Sequence, residues 1–121
     1  MNTKPYISIV TVAFNSAATI GRTLESLRLQ TDKRFESIVI DGSSKDGTME
    51  IVKSYSDVVS NSISEPDKGI YDAMNKGIAL AEGKYIAFLN SDDAYFTDTV
   101  SSVIAFAERH NPEIIYGDMP L

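Results

Sequence analysis

The order of apolar segments predicts an α/β domain of three layers, with a mostly parallel sheet covered by helices on both faces. Two observations carry this expectation. Short β-branched runs alternate with stretches whose apolar residues recur at helical spacing, and consecutive parallel strands need crossover helices of that kind. A third observation is that an acid or amide follows each strand candidate closely, which in a parallel sheet collects polar chemistry along one edge.

Ile7 to Phe14 is the first strand candidate, apolar and β-branched, and from Ser16 to Gln30 the pattern turns helical with Ile20, Leu24 and Leu27 on one face. Ser37 to Ile40 reads as a short buried strand. Gly42, Asp46 and Gly47 mark a turn, and Met49 to Tyr55 a short helix. Val58 to Ile63 is the third strand candidate. The third helix is drawn from Ile70, Met74, Ile78 and Ala81, an apolar stripe at spacings of 4, 4 and 3 that ends near Gly83. Tyr85 to Leu89 supplies the fourth strand, Val100, Val103, Ile104 and Ala107 mark a fourth helix, and Pro112 precedes a last strand at Ile114 to Tyr116.

At 121 residues the chain has the size of one domain with a core of its own, and 43% hydrophobic residues against 23% charged argue for a folded globular class. With no cysteine, disulfides, thiolate metal sites and a cysteine nucleophile are excluded, which fits a reducing compartment. The net charge of -6 disfavours long-range attraction to nucleic acid or an anionic membrane. It leaves room for a small phosphorylated ligand held locally by backbone donors, one basic side chain or a divalent cation. No long apolar run follows Met1 to Pro5 and the longest apolar stretches are only strand-sized, so neither a signal peptide nor a membrane span is supported and a cytoplasmic location is expected, with any peripheral membrane contact made by regions outside this chain.

The chemistry follows the strands: Asn15 after Phe14, Asp41 after Ile40, Glu65 after Ile63, the run Asn90-Ser91-Asp92-Asp93 after Leu89, and Asp118 after Tyr116. Carboxylates gathered at one edge repel unless a cation, basic neighbours or solvent compensates. Asp and Asn are also common turn formers, so a single acid after a strand has a structural reading beside the functional one. The adjacent Asp92 and Asp93 gain little from packing, and an oxygen-only donor set without cysteine favours Mg²⁺ or Mn²⁺ over zinc; solvated loop acids are the plainer alternative.

Asp41-Gly42-Ser43-Ser44-Lys45-Asp46-Gly47-Thr48 is a close turn rather than a nucleotide loop ending in Gly-Lys-Ser/Thr or a Gly-x-Gly-x-x-Gly fingerprint. Asp41 is a candidate acceptor for a base imide N–H or else an Asx-turn residue; Asp46 reads as a turn former, and Thr48 as a helix starter. In Glu65-Pro66-Asp67-Lys68-Gly69-Ile70-Tyr71-Asp72, Lys68 offers a mobile cation to a phosphate, while Asp72 and Lys76 suit an ordinary i,i+4 ion pair and Tyr71 helix-to-sheet packing. The lone His110 sits where a helix end would favour its charged form and receives no catalytic role.

Taken in order, Thr11-Val12-Ala13-Phe14-Asn15, the turn from Asp41 to Thr48, the segment from Glu65 to Gly77 and Asn90-Ser91-Asp92-Asp93 resemble family 2 glycosyltransferases, which have a three-layer, Rossmann-like GT-A fold. The resemblance runs from about Pro5 to the chain end, with its nearest flavour in bacterial enzymes of surface or extracellular polysaccharides, including colanic-acid types. It implies that residues 1-121 are the nucleotide-sugar-binding portion of a catalytic domain, with the acceptor-binding portion absent. Thr11, Ala13 and Asn15 would then lie beside the nucleoside and Asp41 at the uracil or other base edge. Lys68 would approach the base or diphosphate, Asp92 the ribose or metal, and Asp93 would be the stronger ligand of Mg²⁺ or Mn²⁺.

The implied reaction is inverting transfer from a nucleoside-diphosphate sugar, UDP-linked favoured, to a hydroxyl of a saccharide or lipid-linked saccharide. No general base is assigned, and Asn90 departs from the Asp with which many relatives begin the acidic motif. Two other readings remain open: a noncatalytic nucleotide-binding or assembly module, and a phosphoacceptor receiver domain. The latter is disfavoured because the adjacent acids follow the fourth strand candidate rather than the first. An apolar edge exposed by truncation would open a route to homo-oligomers.

Overall fold

The computed structural model describes residues 4–113. Four strands and four helices alternate: β1 (Ile7–Ala13), α1 (Ile20–Arg28), β2 (Phe35–Asp41), α2 (Thr48–Ser54), β3 (Asn61–Ser64), α3 (Ile70–Leu80), β4 (Tyr85–Phe88) and α4 (Thr99–His110). The sheet order is β3-β2-β1-β4 and every pairing is parallel, so all four strands end at the same edge. The strand expected at Ile114 to Tyr116, and Asp118 after it, lie outside the described residues.

Strand alternation divides the core in two. Ile7, Ile9 and Ala13 of β1 face a layer built from Ile20, Leu24 and Leu27 of α1, Val52 of α2, and Val100 and Ile104 of α4. Val10, with Ile38 and Ile40 of β2, faces the other way onto Ala73 of α3. Helices thus cover both faces, the doubly wound arrangement that the alternating pattern predicts.

Helix α3 differs from its predicted face. Ile70 and Ile78, taken as part of the buried stripe, are 54% and 44% exposed, whereas Ala73 and Gly77 are buried. The cause is close approach: a Cβ on Gly77 would lie 2.4 Å from Val10 Cγ1, so only a face of small residues can meet β1. Gly83 likewise does not end the helix, which stops at Leu80. It lets the chain pass Ser8, whose backbone nitrogen would be 2.7 Å from an added Cβ.

Other boundaries move for local reasons. The amides of Thr19 and Ile20 donate to the Ser16 carbonyl, so a turn precedes α1, which begins at Ile20 rather than Ser16. Val58 and Val59 donate to the Tyr55 carbonyl in a turn that follows α2, which delays β3 to Asn61. Strand β2 begins earlier than expected because Phe35 and Glu36 pair with Ile7 and Ser8.

Candidate functional site

The loops after the four strands meet at the carboxyl edge, and the first two are tied together by hydrogen bonds. Asn15, at φ 48°, donates its backbone N–H to Ser44 Oγ (2.6 Å), and its side-chain Oδ1 accepts from the Lys45 amide (3.0 Å). The Ser16 amide donates to Thr48 Oγ1 (2.9 Å) and the Ala17 amide to Asp46 Oδ2 (3.1 Å). Asp46 also accepts from the Thr48 amide (3.1 Å) and hydroxyl, the Asx turn expected of it. Those bonds, led by the Thr48 hydroxyl, hold its carboxyl below the usual carboxylate range.

Asp41 is sealed from solvent, and its carboxylate accepts from the Ser44 amide (2.9 Å), the Ser44 hydroxyl and the Ser64 hydroxyl (2.7 Å). In this state it serves as a turn acceptor, with a loop serine and the last residue of β3 as donors. Thr11 and Ala13 are buried in the layer facing α1, and Thr11 Oγ1 has no hydrogen-bond partner among the described residues. Alternation along β1 turns both inward, so neither side chain opens onto the edge.

Phe14, to which the sequence pattern assigns no site role, faces outward: it is 64% exposed and its ring lies against Gly42. An apolar residue directly after a strand reads as strand, which hid it. A Cβ on Gly42 would meet Asp67 Oδ2 at 2.7 Å and Phe14 Cδ1 at 3.4 Å, so this glycine lets three loops converge. Asp67 accepts from the Gly69 amide (3.1 Å), and the Lys68 amide donates to Asp72 (2.9 Å), leaving the Lys68 side chain exposed. Lys76 does more than the expected pairing with Asp72 (3.7 Å): it reaches Glu65 (3.1 Å) and the Pro66 carbonyl (2.9 Å), fixing the loop before α3. Burial opposes its charge, but the bond to Glu65 and the charges of Glu65, Asp72 and Asp67 prevail and raise its pKa above the ordinary lysine value.

The acid pair sits after β4. Ser91 Oγ meets Ser16 Oγ at 2.8 Å, joining this loop to the first. Asp92 is exposed and Asp93 half-buried, and neither carboxylate takes a hydrogen bond or ion pair from the described residues. Nearby, burial and then the charge of Asp93 push the Tyr95 phenol up to about 12, so it stays neutral in the working range. Among the described residues no cluster of three or more metal-ligating side chains forms. Two unengaged carboxylates nonetheless suit a hard cation that keeps water and takes its remaining ligands from phosphate. A separate cleft of about 320 Å³, lined by Arg28, Phe35 and Asp57 among others, lies by the amino ends of β2 and β3, away from these groups.

Residues 8–121 match the family model described as glycosyl transferase family 2. The chain belongs to that family. It is 37% identical over 120 residues to a PGL/p-HBAD biosynthesis glycosyltransferase of Mycobacterium bovis (strain BCG / Pasteur 1173P2), covering 95% of this chain and 47% of the relative. It is 39% identical over 116 residues to the Escherichia coli UDP-Glc:alpha-D-GlcNAc-diphosphoundecaprenol beta-1,3-glucosyltransferase WfaP, covering 93% and 45%. The chain therefore spans about half the length of these curated relatives. The crystal structure of S. aureus TarS 1-349 in complex with UDP-GlcNAc superposes with TM-score 0.82 at 29% identity, over 88% of this chain and 32% of that one. Membership in this family displaces the receiver-domain reading. Among the described residues no helix is long and apolar enough to cross a membrane.

Proposed function

We propose that this chain holds the donor nucleotide of an enzyme that moves a sugar from a nucleoside diphosphate, UDP favoured, to an acceptor hydroxyl with inversion. The observation that carries the reading is the convergence at one sheet edge of an exposed aromatic, a serine-lined turn and two unengaged carboxylates. Relatives named for UDP-glucose transfer and for binding UDP-GlcNAc support that donor class.

In this reading the base lies against Phe14 and Gly42, where an exposed ring offers a stacking surface. Asp41 reads the base edge by giving up one seryl hydroxyl bond, because a hydroxyl rotates at little cost while the Ser44 amide keeps the turn fixed. Asn15 holds that turn from the β1 side, and Lys68 reaches the diphosphate. Thr11 and Ala13 act from beneath by setting the end of β1. Asp92 and Asp93 would hold Mg²⁺ or Mn²⁺, which when bound supplies positive charge beside the departing diphosphate. The acceptor oxygen attacks the anomeric carbon opposite the breaking C–O bond, its proton passes to a carboxylate base outside the described residues, and the diphosphate leaves with the bonding electrons. The acceptor class is a saccharide or lipid-linked saccharide of surface polysaccharide synthesis, colanic-acid types included.

Calorimetric titration of the full-length protein with UDP, with and without Mn²⁺, tests this. Asp93→Asn should weaken the metal-dependent affinity by on the order of tenfold or more while leaving preference among bases, whereas Asp41→Ala should chiefly flatten that preference. Absence of nucleoside diphosphate binding in both conditions would overturn the donor site; binding that neither Mn²⁺ nor Asp93→Asn alters would remove the metal role alone.

A further inference from the structure

The segment from Asp92 to Asp98 has no regular structure, yet its main chain and that of the first turn of α4 are held almost residue by residue by one side of α1 and the turn after it. Arg22 Nη2 donates to the Asp92 carbonyl (3.2 Å), Thr23 Oγ1 to the Asp93 carbonyl (2.6 Å), and Ser26 Oγ accepts from the Tyr95 amide (3.1 Å). Gln30 then donates to the Phe96 carbonyl (2.5 Å) and accepts from the Val100 amide (2.9 Å), and the Thr31 amide donates to the Thr97 carbonyl (2.9 Å). Thr23, Ser26 and Gln30 recur at helical spacing and are all buried, so this polar stripe occupies core positions where apolar side chains would otherwise gain more. Its partners are backbone groups of the segment that carries the acid pair.

The two acids are held unequally. Asp93 has both backbone groups anchored, its N–H to the Asn90 carbonyl (3.0 Å) and its carbonyl to the buried Thr23 hydroxyl. With both flanking peptide planes fixed, its Cα–Cβ direction is set while its carboxylate stays unengaged. Among the described residues Asp92 has only a longer bond from Arg22, an exposed side chain free to exchange with water.

We propose that Thr23 is a positioning residue for the donor site, fixing Asp93 as the rigid ligand of the diphosphate-bound cation and leaving Asp92 as the adaptable one. The inference rests on the donor-site reading given under Proposed function. It assigns a role to α1, whose side chains bond the main chain of the acid pair and leave its carboxylates free of them, and it follows the rule that a ligating side chain must be pre-aimed by packing and hydrogen bonds behind it.

The test uses the full-length protein with Thr23→Val, which keeps the shape and removes the donor, and Thr23→Ser, which keeps the donor. UDP binding is titrated calorimetrically with and without Mn²⁺, and the Mn²⁺ concentration giving half-maximal binding is read for each variant. Thr23→Val is expected to weaken the Mn²⁺-dependent affinity by about fivefold to tenfold, the usual consequence of losing one buried hydrogen bond. Metal-free UDP affinity should hold, and Thr23→Ser should restore the wild-type Mn²⁺ response. If Thr23→Val is poorly folded, Ser26→Ala, which frees the Tyr95 amide one step further along, is expected to show the same selective loss at smaller size. Equal weakening of metal-free and Mn²⁺-dependent binding, or no rescue by serine, overturns the proposal. Wild-type protein that binds UDP in neither condition removes the donor-site reading and this one with it, whereas wild-type Mn²⁺ dependence that folded Thr23→Val or Ser26→Ala leaves untouched removes this one alone.

Discussion

The two faces of the sheet are assembled by different means. On the α1 side, long apolar side chains fill the space between sheet and helices, and Ile20, Leu24 and Leu27 are all fully buried. On the α3 side the helix comes in on Ala73 and Gly77, and its larger apolar residues Ile70, Tyr71 and Ile78 point outward. Volume specifies one face and closeness the other. Removal of side-chain mass should therefore hurt the first, and addition of mass the second.

The largest effect is expected from Leu24→Ala. A fully buried leucine truncated to alanine loses transfer energy and leaves a cavity, together about 3 to 5 kcal/mol. Denaturant unfolding monitored by circular dichroism checks this, and a loss below about 1 kcal/mol would mean that the α1 layer collapses to fill the gap. Gly77→Ala comes next, at about 1 to 3 kcal/mol of overpacking against Val10. The same change would stabilise an unconstrained helix by up to about 1 kcal/mol, so the sign of the result decides whether close approach governs α3. Val10→Ala combined with Gly77→Ala should cost less than the sum of the single changes, since the added methyl then has room.

This contrast also accounts for what the sequence disclosed. Apolar periodicity located every element within the described residues, and for α4 it named the correct face: Val100, Ile104 and Ala107 are buried. It named the wrong stripe for α3, because a pattern of large residues cannot announce that a helix packs through its smallest ones. At the site, the edge where the acids gather was readable from their places after the strands. Their division of labour was not. A turn role for Asp41 is readable in the string Asp41-Gly42-Ser43-Ser44, but nothing there reveals that Ser64, 23 residues on, also closes over the carboxylate. Thr23, Ser26 and Gln30 carry no signal of their own beside the stripe of Ile20, Leu24 and Leu27, since their partners are backbone groups some 70 residues away.

The smallest expected effect separates the loops of the two faces by pH. The β1–α1 and β2–α2 loops are joined through Asp46, whose folded pKa lies below its ordinary 3.8, mainly because the Thr48 hydroxyl bonds the charged form. Its contribution is present above pH 3.8 and is lost as pH falls below that value through the folded pKa. The β3–α3 loop is held by Lys76, which burial disfavours as a cation but whose bond to Glu65 and acidic neighbours raise its pKa above 10.5. While those acids are charged, that contribution is present below pH 10.5 and is lost as pH rises above it through the folded pKa. Both groups are solvent-accessible, so each loss should be local rather than global. Carbon-detected NMR titration should show the Ala17 backbone shifting at the acid end, and Pro66 shifting at the alkaline end with Ala17 still. Asp46→Asn should abolish the first transition and Lys76→Met the second. Joint movement of both loops in the alkaline titration would mean that the edge opens as one unit, with Gly42 and Asp67 transmitting the change between the two faces.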